Sequence, residues 1–289
     1  MNVAQNALVI VSEVLLSAYP LLIKLVDTTV FFQTGLRMML YTVLAFLAAK
    51  GTGTSLGGLE LFTAETVGSG LLNLVHVLSS YAAFSSLPAG NAMALFYTYP
   101  IWNLVGAWIL HGERIAMEAV PWLGLAIAGT IAVVHPTSTN WTLFGIVAAL
   151  TAALTETGIY LWFKGDGKET DTAPWPKMLQ MYGSSSLAWI AAAIVLGIVG
   201  YLGLSTYSVS GGGLAAILLF NTLVGFVGYA LRFYMIPKVS TVVYSGLSFV
   251  GVVSAYLFGW VGAGEVPTLL QMGGAAAIIV ANTVLLSKK

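Results

Sequence analysis

Long apolar runs, separated by short polar or turn-forming clusters, occupy almost the whole chain. Crossing ~30 Å of hydrocarbon takes roughly 20 mostly apolar residues in a helix. On that measure the runs fall at residues 7–24, 30–50, 65–87, 88–110, 117–134, 141–164, 175–197, 213–235, 239–261 and 267–286. The breaks between them are turn chemistry: Asp27-Thr28, Gly51-Thr52-Gly53, Leu87-Pro88, Gly112-Glu113, His135-Pro136, Gly211-Gly212 and Ile236-Pro237. Pro88, Pro121 and Pro267 stand near segment starts, where a missing N–H costs little. Pro20 and Pro100 stand inside segments and predict kinks. The pattern predicts an all-α integral membrane protein, a bundle of ten transmembrane helices with little outside the bilayer.

Composition points the same way. The chain is 58% hydrophobic and 8% charged, too few charges to cover a soluble surface. Formal net charge is zero, so no basic face invites nucleic acid, and none is expected as a partner. The absence of cysteine excludes disulfides, thiolate metal sites and cysteine nucleophiles. The first apolar run lacks a positive leading region and contains Glu13, so it reads as a retained helix rather than a cleaved signal.

The cations set an orientation. With the N-terminus inside, Lys50, Arg114, Lys164, Lys168, Lys177, Lys238, Lys288 and Lys289 fall on the inner side, with Arg232 close to that face, against Lys24 alone outside. Both termini are therefore expected in the cytoplasm, with the chain in a cell membrane. The spans divide into two sets of five, over residues 1–140 and 141–289, and the longest polar stretch, 165–176, follows the first span of the second set. An odd number of spans per half turns the second half upside down, the inverted-repeat plan of many secondary transporters. Trp108, Gly112 and Glu113 match Trp260, Gly264 and Glu265 at one constant offset. Small residues at four-residue spacing, Gly273, Ala277 and Ala281, let helices approach closely.

Four ionisable residues fall near the middle of their spans: Glu13, Arg37, His76 and Glu156. A charge at the bilayer centre costs ~2.5–3.5 kcal/mol even on the lenient scale, so these groups face protein or water. One reading is a midplane site that takes protons or a cationic group. The other is an internal ion pair, with Arg37 bound to Glu13 and His76 bridged to a hydroxyl. Superposing the halves on Lys24 and Lys164 puts Glu156 opposite Leu16, one turn from Glu13, so the two carboxylates face each other across the repeat axis. Desolvation and a like charge both favour the protonated form, which gives the pair a means of coupling transport to protons. Around them stand Asn73 and Tyr81; Tyr97, Tyr99, Trp102 and Asn103 about Pro100; Asn221 and Tyr229; and Tyr244, Ser245 and Ser248. Aromatic walls with a few hydrogen-bonding groups suit a small organic solute; for each residue singly, ordinary helix packing is the alternative. Glu113 and Glu265 read as structural, each satisfying the first amides of the span that follows.

Leu87-Pro88-Ala89, Tyr99-Pro100 and His111-Gly112-Glu113-Arg114, with Gly35-Leu36-Arg37-Met38 and the second Gly-Glu ending at Gly264-Glu265, resemble the EamA-like members of the drug/metabolite transporter superfamily. The resemblance implies a ten-helix carrier of two inverted five-helix repeats around a central cavity, with a small-molecule substrate and no cofactor. Glu156-Thr157-Gly158 followed by Lys164 is similar to the first helix of small multidrug resistance proteins, where a membrane glutamate takes protons or a cationic drug. The chain departs from the EamA pattern at Leu16-Ser17, where a tryptophan-glycine pair is usual, and at Gln180, where a basic residue is usual. Lysine and arginine clusters are absent from the expected cavity helices, which disfavours an anionic substrate.

The competing classes are a channel or signalling scaffold, and an intramembrane enzyme. No His-Glu-x-x-His pair, aspartate dyad or Gly-x-Ser-x-Gly elbow stands in the spans. The expectation is a secondary transporter of a cationic or zwitterionic metabolite, not an enzyme.

Overall fold

A computed structural model describes residues 3–60, 62–87, 89–134, 142–165, 173–263, 266 and 268–287. Among these residues there is no β-strand. In chain order the helices are α1 (Val3–Leu16), α2 (Tyr19–Leu25), α3 (Val30–Gly51), α4 (Ala64–Ser86), α5 (Ala89–Phe96), α6 (Tyr99–His111) and α7 (Val120–Val134). They continue as α8 (Leu143–Lys164), α9 (Trp175–Ile198), α10 (Gly211–Phe220), α11 (Val227–Met235), α12 (Thr241–Ser248), α13 (Val250–Ala263) and α14 (Leu269–Ser287).

Eight helical stretches among the described residues are long and apolar enough to cross a bilayer: Val3–Leu25, Val30–Gly51, Ala64–Ser86, Asn91–His111, Leu143–Lys164, Trp175–Ile198, Gly211–Lys238 and Thr241–Gly262. The chain is thus a multi-pass, all-helical integral membrane protein. The fifth and tenth predicted spans are shorter apolar helices, Val120–Ala132 and Leu269–Val284. Pro88, His135, Pro136, Trp141, Gly264, Glu265, Pro267, residues 166–172 and the last two lysines lie outside the described residues.

Hydroxyl side chains start several helices. Thr29, Thr63, Thr142 and Ser210 accept from the amides of Phe32, Thr66, Gly145 and Gly213, satisfying donors that the first turn leaves orphaned. Gly112 ends α6 at φ +65°, a left-handed conformation that a side chain would oppose.

Four of the eight long stretches are interrupted near their middles. The first breaks at Ser17-Ala18, ahead of Tyr19-Pro20, and the fourth breaks at Tyr97-Thr98, ahead of Tyr99-Pro100. In each the proline lacks the N–H that the carbonyl four residues earlier would accept, so the first turn closes short. Between α10 and α11 the backbone runs through a π-helical turn at Asn221–Phe226, a wide-turn insertion that re-aims the side chains beyond it. Between α12 and α13 the turn tightens at Phe249, whose N–H reaches Gly246 O at 3.3 Å.

Small residues set the closest approaches. α4 lies along α8 and α9, α1 along α11, and α7 along α14. Gly158 of α8 faces Leu72 of α4, and Gly228 of α11 faces Leu16 of α1. A Cβ on Gly129 of α7 would lie 2.7 Å from the Gly274 carbonyl of α14 and 2.9 Å from the Ile278 side chain, whereas one on Gly124 would meet nothing within 4 Å. Gly129→Leu is therefore expected to lose about 1–3 kcal/mol to overpacking, with Gly124→Leu close to neutral. Melting of the two variants in detergent checks this; equal melting would remove the α7–α14 contact.

Candidate functional site

The interrupted helices converge on Arg232, which is 2% exposed at the centre of the bundle. Its Nη2 lies 2.9 Å from Glu13 Oε1, and its Nη1 lies 2.7 Å from Glu156 Oε1. Its Nε donates to the Tyr244 hydroxyl at 3.1 Å, and Nη2 also donates to the Tyr99 hydroxyl. All three nitrogens are used, and one guanidinium holds two carboxylates. The two tyrosines then pass the interaction on: Tyr99 donates to Glu13 Oε2 at 2.9 Å and Tyr244 to Glu13 Oε1 at 3.2 Å. Tyr97 adds a longer contact to Glu13 at 3.4 Å, and Ser248 Oγ lies 3.5 Å away with its hydrogen directed to the Tyr244 carbonyl at 2.9 Å. Helices α1, α6, α8, α11 and α12 each supply a member.

Glu156 also faces His76, with Nε2 3.2 Å from Oε2. The other ring nitrogen, Nδ1, lies 3.1 Å from the Ala152 carbonyl, which can only accept, so Nδ1 carries the hydrogen. That leaves Nε2 with a lone pair against a carboxylate oxygen. One proton between these two atoms turns a repulsive contact into a hydrogen bond, and it makes the group of Glu13, Glu156, Arg232 and His76 electrically neutral. The His76–Glu156 contact is thus satisfied by one proton shared between the two side chains.

A second guanidinium is handled differently. Arg37, 1% exposed, lies against the faces of Tyr19, Tyr41, Tyr81 and Tyr229, with its Cζ 4.8, 5.2, 5.6 and 4.6 Å from their ring centroids. These are cation–π distances. Nη1 donates to Tyr81 at 3.4 Å, while Nε and Nη2 make no hydrogen bond, and no described carboxylate pairs with it. Tyr229 reaches both cations, its ring also lying 5.8 Å from Arg232 Cζ. The hydroxyls of Tyr19 and Tyr41 lie 3.0 and 3.3 Å from Asn221 Oδ1 and against each other, so that one donates to Asn221 and the other to its fellow hydroxyl. Between the two cations lies a small cavity of about 20 Å³, large enough for a water.

The expected residues therefore divide. Glu13, Glu156, His76, Tyr97, Tyr99, Tyr244 and Ser248 meet around Arg232; Arg37, Asn221 and Tyr229 meet in the adjoining tyrosine cage. Asn73 bonds Ser185 at 2.9 Å between α4 and α9, apart from both groups. Asn103 is fully buried, and its amide atoms make no hydrogen bond. Trp102 is 42% exposed on the outside of the bundle and does not line the cavity. The pairing of Arg37 with Glu13 is replaced by Arg232 with Glu13, and His76 meets Glu156 more closely than the Thr155 hydroxyl, 3.4 Å away.

Arg232, Tyr19 and Tyr41 were not anticipated. The run 213–235 ends three residues after Arg232, which puts it near the membrane face on hydropathy alone. The signal that finds it is the spacing of Asn221, Gly225, Tyr229 and Arg232, one helix face of polar and small residues. Tyr19 announces itself by the Tyr-Pro pair that recurs at Tyr99-Pro100. Glu113 is also corrected: it accepts from Thr241 N at 3.3 Å, capping α12 rather than the span after it, and lies 3.7 Å from Lys164.

Fold and site together define a multi-pass helical membrane protein with a buried ionic centre. No protein-family model matches the chain. Over 66 residues, 23% of its length, it is 33% identical to a Synechocystis sp. protein described as an uncharacterized transporter, and the match spans 20% of that relative. A solved structure described only as the crystal structure of a protein covers 100% of both chains with a TM-score of 0.77 at 17% identity, a likeness of fold.

Removing Arg232 alone leaves two carboxylates buried together. Arg232→Met is expected to cost about 3–5 kcal/mol, and combining it with Glu13→Gln and Glu156→Gln should recover most of that. Thermal melting of purified variants checks the pattern; a single variant as stable as wild type would dismantle the ionic centre.

Proposed function

We propose that the chain is a secondary transporter that moves a small organic metabolite by alternating access, coupled to protons, as an EamA-like member of the drug/metabolite transporter superfamily. The observation that carries the proposal is the ionic centre of Arg232 with Glu13 and Glu156, buried where four interrupted helices meet beside a small cavity. Irregular backbone at membrane depth is tolerated where it lines a cavity, and broken helices at the midplane are where transporters hold their cargo. The short match to an uncharacterized transporter points the same way.

The proposal includes ten spans in two inverted halves, and the helix pairings support it. Exchanging each span with its counterpart five places on turns the α4–α8 pairing into α11–α1, α6–α12 into α13–α5, and α5–α7 into α12–α14, all of which occur. It maps α3–α9 and α7–α14 onto themselves, as a two-fold axis requires. In this reading both termini are cytoplasmic. Lys164, Glu113 and the Val239 carbonyl, which Lys164 reaches at 2.8 Å, close the inner end. Thr28 and Thr29, donating to the Ser208 and Thr206 carbonyls at 2.7 and 2.6 Å, close the outer end. The structure then corresponds to an occluded state. The proton between His76 and Glu156 is the coupling proton, released or taken up as Arg232 shifts between its two carboxylates.

The test is flux into proteoliposomes across a solute panel, with and without a pH gradient. Wild type should show saturable uptake that responds to the gradient. Glu156→Gln keeps shape and hydrogen bonding but removes the titration, so gradient-driven accumulation should fall at least ten-fold while counterflow persists. Unchanged gradient dependence in that variant would sink proton coupling here; absence of saturable flux for every solute would sink transport.

A further inference from the structure

We infer that the cavity binds a small organic carboxylate, with the carboxylate group seated on Arg37. The inference deepens the transporter reading and rests on it only for the step of translocation. Three observations carry it. First, Arg37 is buried and neither Nε nor Nη2 makes a hydrogen bond of good geometry, although the Tyr182 hydroxyl, equally unbonded, stands near the guanidinium. These two nitrogens share one edge of the guanidinium, the fork that a planar carboxylate takes with both oxygens. Leaving such donors empty in a buried site costs more than an ordinary lost hydrogen bond, and tyrosine faces stabilise the charge without supplying an acceptor.

Second, Arg37 is the cation on the cavity wall that no described carboxylate faces. Arg232 and His76 also line the cavity, and their charge is met by Glu13 and Glu156, which do not line it. An arginine without a carboxylate beside the cavity weakens the ground for disfavouring an anion. Third, the same cavity has an apolar side made by Leu16, Phe84, Met93 and Phe96, and hydroxyls at Ser80 and Tyr97. A carboxylate pole opposite an aliphatic and aromatic wall fits an organic acid better than a bare inorganic ion. At about 20 Å³ the closed cavity holds a water, so the acid enters only when the helices part.

The neighbouring ionic centre explains why the site is free. Arg232 has acceptors for all three nitrogens within the protein, whereas Arg37 is held by tyrosine rings and one long hydrogen bond from Nη1 to the Tyr81 hydroxyl. One guanidinium builds the structure; the other is left for a ligand.

The experiment measures melting of the purified wild-type protein with acetate, propionate, benzoate and phenylacetate, each beside its own amide, and with chloride and phosphate. At least one carboxylate should raise the melting temperature saturably, its amide should not, and the inorganic ions should not match it. Arg37→Gln should weaken that carboxylate's apparent affinity at least ten-fold, and Arg37→Lys, which keeps the charge but loses the fork, should recover only part. Equal stabilisation by the amide, by chloride or by phosphate would overturn the inference, as would no carboxylate binding or full binding to a folded Arg37 variant. The wild-type comparison of acid with amide decides the matter even if neither variant folds. Saturable flux of neutral or cationic solutes without carboxylate preference would reject this site while leaving transport intact. Carboxylate binding without flux would do the reverse.

Discussion

A buried guanidinium shared by two carboxylates is the interaction on which the rest of this structure depends. Each charge taken from water into a bundle core carries a penalty of several kcal/mol, and only close pairing with further hydrogen bonds offsets it. Arg232 meets that demand with contacts to Glu13, Glu156, Tyr99 and Tyr244. The requirement reaches outward into the backbone. Tyr97 and Tyr99 both turn toward Glu13 although they are two residues apart, which a regular helix would place on different faces. The break at Tyr97-Thr98 and the proline after Tyr99 make that possible. The π-helical turn before α11 likewise re-aims Tyr229 and Arg232 relative to α10. The interruptions are the local conditions under which five helices can satisfy one ionic centre.

The two Tyr-Pro breaks carry this logic further. Tyr99-Pro100 presents a tyrosine to Arg232, and Tyr19-Pro20 presents one to Arg37. Tyr229, one turn before Arg232 on α11, touches both cations. A displacement of α11 therefore alters the surroundings of the free guanidinium and the paired one together. Such a shared element is the physical requirement for coupling between a ligand site and a proton site, since both must bias the same moving part.

Much of the architecture was legible from hydrophobic length alone, because lipid forces backbone satisfaction within each helix and the chain advertises it in runs of apolar residues. Kinks at Pro20 and Pro100 followed from proline chemistry, and both breaks lie within a few residues of those positions. The depth of Glu13, Glu156 and His76 was also readable, since their spans extend well beyond them on both sides. What escaped was pairing. Arg37 and Arg232 are indistinguishable by type, and hydropathy ranked them by distance from a span end, placing Arg37 centrally and Arg232 at the face. The stretch from Gly211 to Lys238 is 28 residues long and contains the π-helical turn and a closing 3₁₀ turn, so Arg232 lies deeper than a regular helix ending nearby would put it. Trp102 failed for the converse reason: neighbours on a kinked helix were assumed to share a pocket, whereas Trp102 turns to the outside.

The relative strengths of the contacts at the centre and at the ends favour a pivot on the transporter reading. At one end Lys164 is buried but Glu113 is 27% exposed and 3.7 Å away, so that pair contributes about 1 kcal/mol or less, and the Lys164 bond to the Val239 carbonyl adds about 1.5–3 kcal/mol. At the other end two exposed hydroxyl–carbonyl bonds contribute on the order of 1 kcal/mol each at most. Breaking the outer set costs a small multiple of thermal energy and the inner set a few kcal/mol, whereas opening the ionic centre breaks two close carboxylate contacts and two tyrosine bonds on one buried guanidinium. The motion of least cost therefore keeps the ionic centre together and lets the ends part around it. Full passage from one opening to the other is then gated by the proton that lets Arg232 loosen its hold on Glu156. On the transporter reading, the same contact that stabilises the bundle makes its reorganisation conditional on protonation.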